Sequence, residues 1–264
     1  MERRVFESLG GECELYGIGV GQAPLAEGET WIRSMHDRLT RFEPSSELSR
    51  FNASSGEWAT VSTELEALLR ESLRAFDLSD GLVNAAVLPA LLAAGYTRDF
   101  AAGPTSRREP QPIPPLPDVL DMRPGKARLA LGAAVDLGGI AKGWLADRLA
   151  ERLGDNVLVN LCGDLFARGG GENGDGWPVG FGDKTLLLKD LGAATSGTTK
   201  RAWAGGHHLI DPRTGLPAET DVSEVSVLAS TATDAEIYAK VALLLGSRDA
   251  PNWLEGRAQG WSLT

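Results

Sequence analysis

DLGGIAKGWLADRLAERLG, residues 136–154, sets a tight turn directly against a helix. Ile140, Leu145, Leu149 and Leu153 approximate one buried stripe, and Gly154 is the natural stop of the helix they define. In front of it, Gly138 and Gly139 let the backbone approach a ligand closely, and the amides of the helix start point outward at its positive end. Lys142 adds a full charge. These are the parts of a phosphate cradle, yet the spacing matches neither G-x-x-x-x-G-K-[ST] nor G-x-G-x-x-G. A plain turn and helix start is the commoner use of such a run.

On the C-terminal side, NVLVNLCGDLFARGGG (156–171) reads as a strand running into a glycine-rich turn, and VSEVSVLAS (222–230) alternates as a later strand. TDAEIYAKVALLLG (233–246) is a helix ended by Gly246. On the N-terminal side, Cys13 to Val20 reads as a first strand, and Ile32, Met35 and Leu39 stand at helical spacing in 31–39. The polar loop RFEPSSELSRFN (41–52) leads to a helix that Thr63 and Glu66 can cap, with Leu65, Leu68, Leu69, Leu73 and Phe76 as its stripe. Around 97–128 the pattern fails. Seven of the fourteen prolines fall there, and an irregular excursion or lid edge within one fold is expected. Strands and helices without a βαβ rhythm favour α+β over a doubly wound sheet.

The chain of 264 residues can bury a full core, and 42% hydrophobic with 23% charged residues is ordinary globular composition. A net charge of -10 argues against a nucleic-acid partner, while leaving room for a small phosphorylated ligand in a locally positive pocket. No apolar run reaches the roughly 18 residues of a membrane span. The first residues show no export signal, so a cytoplasmic location is the simplest expectation, and an exported, trimmed form fits the same observation. Cys13 and Cys162 are too few for a disulfide framework.

Several side chains have two readings each. Asp136 and Asp164 sit beside glycine turns, where a carboxylate either does chemistry or accepts local hydrogen bonds. Cys162 lacks a visible activating partner and reads as a small buried hydrophobe. In HHLIDPRTGLP (207–217), His207 and His208 face opposite ways if extended, so only one can enter a given cleft. That one could act as a base with Asp211 orienting it, or the segment could be an Asx-type turn with a surface histidine. Thr233 and Glu236 form a T-x-x-E capping pattern, and Glu236 with Lys240 an i,i+4 ion pair, either of which explains the glutamate without a ligand.

Taken together, SSELSRFN (45–52), DLGGIAKGWLADRLAERL, LCGDLFARGG (161–170), TSGT (195–198), HHLIDPRTGLPA and TDAEIYAKVALLLG resemble the ApbE family of flavin transferases, in the family's order. The resemblance implies an α+β fold, one domain over 1–264, with a β-rich core, surrounding helices and a central cleft. It implies binding of FAD and, with Mg²⁺, transfer of FMN to a Ser or Thr hydroxyl of an acceptor protein with release of AMP. On it, Ser49, Asn52, Asp136, Gly138, Gly139, Lys142, Gly163, Asp164, Ser196, Gly197 and Thr214 are expected to bind FAD. His208, His207 and Asp211 are the catalytic candidates. Two family metal ligands, an aspartate and a threonine, correspond to Glu236 and Lys240, the latter unable to coordinate while protonated. Asn84-Ala85 replaces the family's Asp-Pro, and Cys162-Gly163 its glycine pair. Two rival expectations are a non-catalytic FAD-binding protein and a pyrophosphatase splitting FAD into FMN and AMP.

Overall fold

The structure, a computed structural model, describes residues 1–106, 109–182, 184–203 and 206–264. In chain order it begins with β1 (Glu2–Ser8), β2 (Gly11–Gly17), α1 (Gln22–Leu39), α2 (Glu47–Ala53), β3 (Ala59–Thr60), α3 (Thr63–Leu78), α4 (Leu88–Ala93), α5 (Leu116–Val119), β4 (Leu120–Arg123) and β5 (Lys126–Leu129). There follow α6 (Ala141–Leu153), β6 (Val157–Leu161), β7 (Asp164–Arg168), β8 (Trp177–Phe181), β9 (Lys184–Leu188) and β10 (Leu191–Gly197). The rest is β11 (Ala202–Trp203), β12 (Gly206–His207), β13 (Ile210–Asp211), β14 (Leu216–Pro217), β15 (Glu224–Ala229), α7 (Ala232–Leu254) and β16 (Gly260–Leu263). The class is α+β, as expected. The chain divides into two units: residues 1–36, 140–196 and 222–264, and residues 37–139 and 197–221.

The first unit is built on a sheet of order β1-β2-β6-β7-β10-β15-β16 among the described residues. Its pairings β1–β2, β2–β6, β6–β7, β7–β10 and β15–β16 are antiparallel. Helices α6 and α7 pack on each other and on β6, β7 and β15. The stripe of α6 is the expected one: Ile140, Leu145, Leu149 and Leu153 are all buried, and Gly154, at φ 125°, ends the helix. A further core joins Leu158, Leu165 and Ala167 to Trp177, Val179, Leu188 and Leu228.

Two expectations are revised here. The run 156–171 is a hairpin, because Cys162 and Gly163 take φ of 60° and 98° and reverse the chain between β6 and β7. A Cys in the left-handed region is uncommon, so the turn carries none of the usual Asn-Gly signal. As expected, the helix that starts at Ala232 ends at Gly246, whose φ 77° and ψ 177° are not helical; a second helix follows directly, and the two share the label α7. At the start of α7 the N-cap is Thr231, which accepts from the Asp234 amide, and not Thr233.

In the second unit β3, β5 and β4 form an antiparallel sheet. Helix α3 buries Leu65, Leu68 and Leu69, but its N-cap is Ser62 and Thr63 is its first residue. Glu66 instead accepts from the Gly125 amide at 2.8 Å. Of the Pro-rich stretch, residues 107 and 108 lie outside the described residues; from Leu116 onward it is ordered into α5, β4 and β5, so the excursion ends earlier than 128. A small core joins Ala90, Leu91, Ala94 and Ile210, with Tyr96, Ile113 and Trp203 against it. No helix among the described residues is long and apolar enough to cross a membrane.

Candidate functional site

In the first unit the candidate residues converge on the start of α6. The Lys142 ammonium contacts Asp164 Oδ2 and lies 3.7 Å from Glu236 Oε1. Asp164 is 2% and Glu236 4% exposed, so both carboxylates are withdrawn from water and need a cation or donors beside them. Two features of the helix pair put them there. Residue 143 must be glycine, because a Cβ at that position would stand 2.5 Å from the Ala232 carbonyl oxygen; only a bare backbone lets α6 come this close to the start of α7. With the helices so close, the Gly143 amide donates to Glu236 Oε2 at 2.8 Å.

One turn along α6, Asp147 caps the neighbouring helix. It accepts from the amides of Ala232 and Thr233 at 2.7 and 3.0 Å and from the Thr233 hydroxyl at 2.6 Å. A carboxylate at these orphan amides is also favoured by the helix dipole. Burial nevertheless pushes the Asp147 carboxyl above its usual range, against the pull of those hydrogen bonds. Thr233 therefore serves Asp147 and Glu236 serves Gly143, and the T-x-x-E pattern is used between helices rather than within one.

Asp164 is aimed by the β6–β7 turn: the Gly163 amide donates to Asn160 Oδ1 at 2.9 Å, and the Thr195 amide donates to Asp164 Oδ1 at 3.4 Å. Ser196 and Gly197 close strand β10 just beyond Thr195. Cys162 is half-buried, with its Sγ 3.9 Å from that of Cys13, which is less sheltered than a buried hydrophobe.

In the second unit Asp136 is the centre. Its Oδ2 pairs with the buried Arg41 Nε at 2.7 Å, and its Oδ1 accepts from the Gly138 amide at 2.8 Å. Arg41 also donates to the Tyr96 carbonyl at 2.9 Å and lies over the rings of Phe42 and Tyr96. Asn52 clamps the preceding residue by two bonds, Nδ2 to the Val135 carbonyl at 2.9 Å and the Val135 amide to Oδ1 at 2.8 Å. The turn before Gly139 is thus rigid before any ligand arrives. Ser49 gives its amide to the Ser46 cap, and Asn84 accepts from the Ala86 amide and donates to the Pro114 carbonyl, both at 2.9 Å.

The 207–217 segment resolves into a neutral imidazole and an Asx turn. His207 Nδ1 accepts from the Leu209 amide at 3.2 Å, so its Nε2 is the protonated nitrogen and donates to the Ala218 carbonyl at 3.0 Å. Burial lowers the His207 pKa from its usual value, which the Ala218 bond opposes. Asp211 Oδ1 accepts from the Arg213 amide at 2.9 Å, and the Arg213 guanidinium closes on both carboxylate oxygens, at 2.7 to 3.1 Å. Thr214 folds back with its amide on the Asp211 carbonyl at 3.2 Å. The His208 amide donates to the Arg201 carbonyl at 3.2 Å.

Lys142, Asp164 and Glu236 are therefore brought together, as are Asn52, Asp136 and Gly138. Arg41 and Asp147 escaped the sequence reading. Arg41 opened a loop with no periodicity, and the signal for Asp147 was a carboxylate on the otherwise apolar buried side of α6.

Mg²⁺ does not fit the donor set at Glu236 and Lys240. One Glu236 oxygen accepts from Gly143, the other faces the Lys142 ammonium, and a protonated Lys240 has no lone pair to offer. Among the described residues no three His, Cys, Asp or Glu side chains gather as a metal-ligand set.

A family model described as the ApbE family matches residues 12–262. An FAD:protein FMN transferase of Treponema pallidum is 32% identical over 260 residues, covering 85% of this chain and 72% of its own. One from Haemophilus influenzae is 26% identical over 258 residues, covering 85% and 73%. The crystal structure of the ApbE protein of Thermotoga maritima superposes with a TM-score of 0.86 at 22% identity, over 99% of this chain and 93% of that one. The apo flavinyl transferase ApbE of Pseudomonas stutzeri gives 0.84 at 20% identity, over 100% and 93%. At these identities the two structures bear on the fold.

Proposed function

The chain belongs to the ApbE family, and on that premise we propose that it is an FAD:protein FMN transferase acting on a Ser or Thr hydroxyl of an acceptor protein. The observation that carries this reading is the common name of the relatives that match most of the chain. The fitted chemistry is a phosphoryl transfer. The acceptor oxygen forms a bond to the FMN phosphorus, the pyrophosphate P–O bond breaks, AMP leaves with the electron pair, and the hydroxyl proton passes to a base.

Each step asks something of the chain. Negative charge on the pyrophosphate is met by the Lys142 ammonium and by amides of the DLGG turn and the helix start after it. The clamped Asp136 turn removes the need to order that backbone during the reaction. The base is assigned to His208, the histidine nearer the Asp211 turn; His207 has both nitrogens on the backbone and Asp211 both oxygens on Arg213. Ser49, Asn52, Gly163, Asp164, Ser196, Gly197 and Thr214 are the further residues assigned to FAD in this reading, and the whole chain is taken as one domain. The Mg²⁺ implied by the resemblance enters no step.

The test is AMP release from FAD with an acceptor polypeptide. His208→Gln is expected to slow it by about a hundredfold or more while FAD affinity is kept. Wild-type rates in H208Q alongside inactivity in H207Q would move the base to His207.

A further inference from the structure

We propose that this protein does without a divalent cation, and that the Lys142 ammonium carries the positive charge in its place. The inference rests on the transferase reading for its purpose, and on the Lys142, Asp164 and Glu236 cluster for its evidence. A divalent ion at Glu236 needs at least one carboxylate oxygen without a competing donor and a second oxygen ligand nearby. Here Oε2 of Glu236 holds the Gly143 amide at 2.8 Å, and Oε1 and the adjoining Asp164 are both turned to one ammonium.

The place between the two carboxylates is already taken by a cation. Asp164 and Glu236 bring two negative charges into a buried position, and Lys142 returns one positive charge between them. The ammonium thus stands where an ion bridging the two carboxylates would have to sit. A divalent ion added there would lie close to a like charge in a site shielded from water, where repulsion is strong. Lysine is suited to the substitution because its compact ammonium acts on phosphate as a point charge, without fixed coordination geometry.

The direct probe is Mn²⁺, whose free-ion EPR signal falls on binding. Titrated into the wild-type protein with FAD present, millimolar Mn²⁺ is expected to show no protein-dependent loss of signal. The double variant Glu236→Asp, Lys240→Thr is expected to gain a site taking up one Mn²⁺ per chain. Stoichiometric, FAD-dependent uptake by the wild type overturns the proposal. Its activity counterpart is AMP release in excess chelator, expected within about twofold of the rate with added Mg²⁺, whereas loss on chelation with recovery on Mg²⁺ also overturns it. If no AMP appears under either condition, the transferase reading fails, and the Mn²⁺ titration still decides the question of the cation.

Discussion

Gly143 is the residue on which the geometry of the Lys142 cluster most depends. Its missing side chain brings α6 against the first turn of α7, and its amide holds Glu236 in place. Gly143→Ala is expected to cost about 1 to 3 kcal/mol, the usual range for overpacking, as read by urea unfolding. Loss of activity should exceed loss of folded protein. His207 gives a prediction in pH. Because burial lowers its folded-state pKa below 6.5, the neutral ring contributes stability above pH 6.5, and this is lost as pH falls through the folded pKa. His207→Gln should remove that part of the acid sensitivity, visible as a flatter melting temperature between neutral pH and mild acid. An unchanged profile would show that the ring is not held as the neutral tautomer.

At the scale of elements, α6 was legible and α7 only partly so. The stripe of α6 and its stop at Gly154 follow from 3.6-residue periodicity and a glycine, both local signals. The start of α7 is set by Asp147, 85 residues earlier than Ala232, and no window along the sequence contains both. The turn at Cys162-Gly163 was missed because a cysteine at positive φ is held there by hairpin pairing and by Asn160, not by its own preference. Gly246 illustrates the converse. The sequence marks it as a stop, and the first helix does end there, at backbone angles open in practice to glycine alone, with a second helix starting directly after it. Gly246→Ala should destabilise the protein by about 1 to 3 kcal/mol, measured by thermal or denaturant unfolding. Neutral behaviour there would mean that the second half of α7 can be re-aimed without loss. Asp147→Ala, which strips the cap from α7, is expected to cost about 1 to 3 kcal/mol by leaving buried amides unsatisfied.

At the scale of the molecule, a net charge of -10 coexists with lysine and arginine placed singly at Asp164 and Asp136, so the local charge needed for a pyrophosphate is not visible in the total. The chain passes between its two units at 36–37, 139–140, 196–197 and 221–222, and the middle two passages fall inside DLGGIAKG and TSGT, two of the stretches that carried the family resemblance. Their glycines were legible as turns, whereas their place at the joins of two interleaved units was not, since each unit is assembled from separated segments. In the proposed reaction the flavin ends on a protein. This is tested most directly by incubating the protein with FAD and Ser- and Thr-bearing acceptor polypeptides, then measuring acceptor mass and AMP together. The expected result is an acceptor heavier by FMN less one water, with one AMP for each molecule modified. FMN and AMP released in equal amounts beside an unmodified acceptor would contradict it and mark the chain as a pyrophosphatase, and bound FAD without AMP would mark it as a binding protein.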